Sequence, residues 1–143
     1  MKKLLIISLI LIFFDQITKF FFTNKYYTIG NFGIYYAENT GAAFSILQGM
    51  NLLFLIISII VIIAIIYYYK KIPYKLPLIL ILAGTTGNLI DRIFFHYVRD
   101  FIMISVWPIF NLADSFNTFG ILLLAYYFWK EDKTYKQKSL KSK

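Results

Sequence analysis

Apolar residues along this chain gather into four long runs: Leu4–Phe22, Leu52–Tyr69, Leu76–Phe95 and Leu112–Trp129. Each run is close to the ~20 residues a helix needs to cross a bilayer core. Polar residues concentrate between the runs, chiefly in segment 23–50. Within that segment Tyr27-Thr28-Ile29 and Phe32-Gly33-Ile34-Tyr35-Tyr36 flank Gly30-Asn31, a hairpin signal. The pattern predicts an all-α polytopic membrane protein. Its four transmembrane helices carry a small extracytoplasmic β-structure between helices 1 and 2, and the whole forms one membrane domain, 1–143, ending in a basic cytoplasmic tail, 130–143.

Composition agrees with this. Of 143 residues, 59% are hydrophobic, more than a soluble core of this size needs. The net charge of +8 comes from lysines that fall on one side once the spans alternate. Lys2 and Lys3 precede the first span, Lys70, Lys71 and Lys75 lie between the second and third, and six more follow the fourth. The positive-inside rule then places both termini in the cytoplasm. Anionic lipid headgroups are the partners such a tail implies. Nucleic acid is not expected, because no base-reading pattern accompanies the charge. A cleavable leader is also not expected: Asp15-Gln16-Ile17-Thr18-Lys19 follows the first apolar run, where a leader would carry a small-x-small site.

The acids change the picture. Asp15, Asp91, Asp100 and Asp114 sit inside or at the rims of the apolar runs, where a carboxylate costs at least ~2.5 kcal/mol. With both termini inside, Asp15 lies roughly 18 Å up a ~30 Å core and Asp91 about 24 Å up. Asp100 follows the third span, and Asp114 opens the fourth near its outer end. Four acids converging on one depth predict one site.

Each acid also has a plainer reading. Asp15 and Lys19 stand i, i+4 on one helix face and can pair with each other. Gly84, Gly87, Asn88 and Asp91 share a face, a helix-packing seam of small residues with an internal Asp91–Arg92 pair. Asp100, between Arg99 and Phe101, reads as a rim charge exposed to water. Asn111 and Asp114 read as a capping box worth about 1 kcal/mol. Asn39-Thr40-Gly41 reads as a turn or helix cap.

Taken together, five strings resemble the ordered motifs of the signal peptidase II family. They are Asp15-x-x-x-Lys19, Asn39-Thr40-Gly41-Ala42-Ala43-Phe44, Gly87-Asn88-x-x-Asp91-Arg92, Val98-x-Asp100-Phe101 and Phe110-Asn111-x-Ala113-Asp114. The resemblance implies an intramembrane aspartyl endopeptidase of the bacterial inner membrane, with no cofactor. It implies that the enzyme cuts prolipoproteins before a diacylglyceryl-modified cysteine. The catalytic pair would be Asp100 and Asp114. Asn39, Asn88, Arg92 and Asn111 would surround it, and Asp15, Lys19 and Asp91 would support it. Two features depart from the family pattern: Glu38 stands where a basic or neutral residue is frequent, and the stretch Met103–Ile109 is short.

Elementary chemistry supports a carboxylate mechanism. His96 is the only histidine and there is no cysteine, so a metal site lacks its usual donors. The serines lack a histidine placed to activate them. The rival reading is a small proton-coupled transporter that uses Asp15, Asp91 and Asp114 as a relay. A relay also wants polar residues in the inner half of the membrane, and Leu4–Phe14, Leu52–Tyr69 and Leu76–Ala83 offer almost none.

Overall fold

A computed structural model of the chain describes residues 2–41 and 47–141. Four helices and three strands follow in the order α1 Lys2–Phe22, β1 Tyr26–Ile29, β2 Phe32–Asn39, α2 Asn51–Tyr68, α3 Lys75–Phe94, β3 Val98–Ile104 and α4 Leu112–Lys141. Among the described residues α1, α2 and α3 are long and apolar enough to cross a membrane. Helix α4 is 30 residues long and runs past Trp129, so the basic segment 130–141 is part of it.

Helix α3 is the central element and packs against α1, α2 and α4. Its buried Leu78, Ile79, Ile81 and Leu82 join Leu4 of α1 and Ile65 of α2 in one apolar cluster. The opposite faces of α1 and α2 expose large apolar side chains such as Leu9, Phe13, Leu52 and Ile60. Outside a bilayer such faces would drive association. Small residues set the closest approaches. A Cβ at Gly87 would stand 2.6 Å from Oδ2 of Asp15, and one at Gly120 would stand 2.6 Å from Ile81. The small-residue seam read on α3 is thus real, and it serves two neighbours: Gly87 faces α1, and Gly84 faces α4.

The expected hairpin is present. β1 pairs antiparallel with β2, Tyr26 opposite Tyr35 and Ile29 opposite Phe32, around Gly30-Asn31, with Gly30 at φ +59°. The sheet is not confined to the segment between α1 and α2. Its third strand, β3, comes from the α3–α4 connection and pairs antiparallel with β2, Ala37 opposite Asp100 and Asn39 opposite Val98. From β3 the chain folds back: Ile102 N–H donates to Phe110 O at 2.8 Å, and Phe110 N–H returns the bond at 3.1 Å. This return places Asp100 beside the first turn of α4.

Candidate active site

Helix α4 begins with the reciprocal cap expected from its sequence. Asp114 N–H donates to Asn111 Oδ1 at 2.9 Å, and Asn111 N–H donates to Asp114 Oδ2 at 3.2 Å. The cap does more than close a helix, because its Asn111 amide also reaches β3. Asn111 Nδ2 donates to Asp100 Oδ1 at 2.6 Å and to Asn88 Oδ1 at 3.2 Å. The other oxygen of Asp100 accepts from Asn39 Nδ2 at 2.9 Å, and Asn39 is itself oriented by the Gly41 N–H on its Oδ1 at 2.9 Å. Asp114 Oδ1 accepts from Asn88 Nδ2 at 2.7 Å. Three asparagine amides from β2, α3 and the α4 cap therefore aim N–H donors at two carboxyls.

Asp100 is 1% exposed, so its reading as a water-exposed rim charge is corrected. The strand β3 buries both of its faces at Val98–Phe101, which is why a charge beside the third span does not meet water. Burial and the neighbouring Asp114 carboxylate push the Asp100 carboxyl up to about 7, against its hydrogen bonds from Asn39 and Asn111. Two carboxyls close enough to repel each other titrate as a pair and hold one proton between them.

A second charged cluster stands behind this pair. Lys19 is wholly buried and contacts Asp15 at 2.9 Å, Asp91 at 3.5 Å and Asn88 Oδ1 at 2.9 Å. Because Lys19 only donates, it fixes which end of the Asn88 amide faces Asp114. The i, i+4 pair of Asp15 with Lys19 is as expected. Asp15 Oδ1 also accepts from Ala113 N–H at 2.9 Å, tying α1 to the start of α4.

The expected Asp91–Arg92 pair is not formed. Adjacent helix residues point about 100° apart, and the partner of Asp91 is Arg99 on β3. Arg99 Nη2 lies 2.8 Å from Asp91 Oδ1, and its Nε and backbone N–H donate to Oδ2 at 3.2 Å and 2.9 Å. Gln16 completes this cluster: its Nε2 donates to Asp15, Asp91 and Gly87 O, and its Oε1 accepts from Arg99 at 2.9 Å. Neither Gln16 nor Arg99 stood out in the sequence, where one looked like a span residue and the other like a loop charge. Arg92 turns away, donating to Gly41 O at 3.3 Å with its guanidinium 5.2 Å over the Phe54 ring. The string Ala42–Phe44 lies outside the described residues.

Two cavities meet at the carboxyls and share Asn39 and the Trp107–Ile109 wall. One, of about 570 Å³, is lined by Asp114, Asn88 and Arg92 and by apolar residues of α4 and the β3–α4 connection. The other, of about 340 Å³, is lined by Asp100, Thr40 and Gln48. An extended chain laid through both would pass the two carboxyls. Among the described residues no group of three or more His, Cys, Asp or Glu is disposed to hold a metal ion.

The chain matches the family model for signal peptidase (SPase) II over residues 7–130. It is 40% identical to a lipoprotein signal peptidase of Halothermothrix orenii, over 90% of this chain and 96% of that one. It is 39% identical to one from Streptococcus pyogenes, over 92% and 96%. Among solved structures, a bacterial membrane enzyme determined in meso superposes with a TM-score of 0.85 at 32% identity, covering 94% of this chain and 92% of that one. With a family model spanning most of its length and relatives of nearly its own length, the chain belongs to the signal peptidase II family.

Proposed function

We propose that this chain is an aspartyl endopeptidase of the bacterial inner membrane that removes signal peptides from prolipoproteins, cutting before the diacylglyceryl-modified cysteine. Asp100 and Asp114 are its catalytic pair. The observation that carries this reading is the shared amide shell: Asn111 bonds both carboxyls, and Asn39 and Asn88 each hold one. In the reaction one carboxylate takes a proton from water as the oxygen attacks the scissile carbonyl. The other carboxyl gives its proton to the carbonyl oxygen. Collapse of the tetrahedral intermediate returns that proton and sends the first to the departing amine, so the pair ends as it began.

In this reading α4 is the fourth span, both termini are cytoplasmic and the sheet faces the extracytoplasmic side. The transport reading gains no support. The buried polar side chains of α1 and α2 farther from the carboxyls are Ser8 and Ser58, and both bond backbone carbonyls.

The pH profile tests the shared proton. Below the lower pKa of the pair both carboxyls are protonated and no base remains. Above the upper pKa both are ionised and no acid remains. Asp100 is pushed up to about 7 by burial and the neighbouring Asp114 carboxylate, and both limbs belong to the pair, so kcat/KM on a lipidated prolipoprotein peptide is expected to be bell-shaped in pH. A profile that stays flat from pH 4 to 10 rules out the shared proton.

The lipid is the second test. Two acyl chains contribute about 0.8 kcal/mol per buried methylene and hold the cysteine at the membrane surface. The unmodified precursor is expected to be cut far more slowly than its diacylglyceryl form in the same vesicles. Equal rates mean that the lipid is not recognised.

A further inference from the structure

Four polar side chains line the larger cavity without hydrogen-bonding Asp100 or Asp114: Arg92, Ser115, Asn117 and Thr118. Asn117 lies three residues beyond Asp114 on α4 and lines the same cavity of about 570 Å³. Three residues of helix rise about 4.5 Å, so its amide sits one turn deeper along α4. Thr85 on α3 donates its hydroxyl to Asn117 Oδ1 at 3.1 Å. The same oxygen lies on the Gly84 side, where a Cβ would come 2.7 Å from it. The oxygen end of the amide is thus turned to α3, and the NH2 end is turned away from it. That Nδ2 donates no hydrogen bond to the described residues, and it is not among the buried side-chain atoms left unsatisfied. It is open to the cavity, whose surrounding wall includes Val98, Ile109, Phe110 and Phe119.

We propose that the Asn117 amide is a substrate-binding group that donates to a backbone carbonyl of the signal peptide, one or two residues upstream of the scissile carbonyl. The inference rests on the peptidase reading above. A chain must leave the helical state to present its scissile bond, which frees carbonyls in surroundings with little water, where each unpaired group costs several kcal/mol. An extended chain advances ~3.3 Å per residue. A donor about 4.5 Å along α4 from Asp114 therefore meets the carbonyl one or two residues upstream. The apolar residues of the wall accept the side chains of that segment, and Arg92, Ser115 and Thr118 are the other polar side chains there outside the carboxyl network.

The test is a double-mutant cycle between enzyme and substrate. Lipidated prolipoprotein peptides carry a thioamide, a weaker acceptor, at the second or third residue before the cysteine. They are cut by wild-type enzyme and by Asn117→Leu. For wild type, one of the two thioamides is expected to lower kcat/KM about tenfold, mostly through KM. Asn117→Leu is expected to lose a similar factor on the ordinary peptide and to be nearly indifferent to the thioamide. Equal thioamide penalties in both enzymes, or none in either, overturn the proposal. If Asn117→Leu does not accumulate as folded protein, Thr85→Val takes its place. It leaves the amide present but free to turn over, so the thioamide penalty is expected to shrink, and an unchanged penalty again overturns the proposal. Failure of wild type to cut any lipidated peptide instead refutes the peptidase reading.

Discussion

Asp100→Asn and Asp114→Asn are each expected to lower turnover of a lipidated prolipoprotein by about 10³-fold or more, in the upper range for loss of a positioned acid or base. Both variants should still insert and fold. An asparagine at position 100 keeps one oxygen for either Asn39 or Asn111, and one at position 114 keeps one for either Asn88 or the Asn111 N–H, so each variant loses one hydrogen bond of the shell. Shape and burial are kept while the exchangeable proton is lost. Single-turnover cleavage, alongside thermal unfolding in detergent, separates chemistry from folding. Near-wild-type turnover in either variant removes that residue from the catalytic pair.

Asp91→Asn should do the opposite, harming the fold before the chemistry. Asp91 is the acceptor for the Arg99 side chain and backbone and lies within 3.5 Å of Lys19, with its own side chain fully buried. Neutralising it strands the buried Arg99 and leaves Lys19 paired with Asp15 alone, a change of the kind that costs about 3–5 kcal/mol. Arg99→Gln should destabilise too, by leaving the Asp91 carboxylate short of donors. The double variant is expected to be less destabilised than the sum of the two, because removing the second charge relieves the first. Strict additivity in thermal unfolding means the pair does not act as one unit. Lys cannot replace Arg99 faithfully, since it lacks the planar fork that meets both Asp91 oxygens.

Much of this was legible before the structure. The four helices followed from run length, the hairpin from Gly30-Asn31, and the α4 cap from the spacing of Asn111 and Asp114. These are local signals, set by neighbours a few residues apart. Convergence of the acids was legible because depth along a helix is arithmetic. What stayed hidden was pairing between elements. Gln16 meets Arg99 across 83 residues, and no periodicity reports that contact. Strand β3 also escaped notice. Its Val-Arg-Asp-Phe start is buried on both faces and breaks the alternation of a half-exposed strand. The Asp91–Arg92 pairing failed for a related reason: adjacency in sequence is not a shared face on a helix. Asn117 drew no attention because one amide in an apolar run looks like a tolerated exception until its cavity is seen.

The tie from Asp15 to the Ala113 N–H has a consequence for biogenesis. A ribosome delivers α1 first and α4 last. Until α4 arrives, Asp15 lacks the backbone donor at 113, Asn88 lacks Asp114, and Asp100 lacks both the Asn111 amide and its partner carboxyl. A nascent chain halted before α4 thus holds only one member of the proposed catalytic pair. With Asp100 and Asp114 as the proposed pair, cleavage therefore requires that α4 has docked.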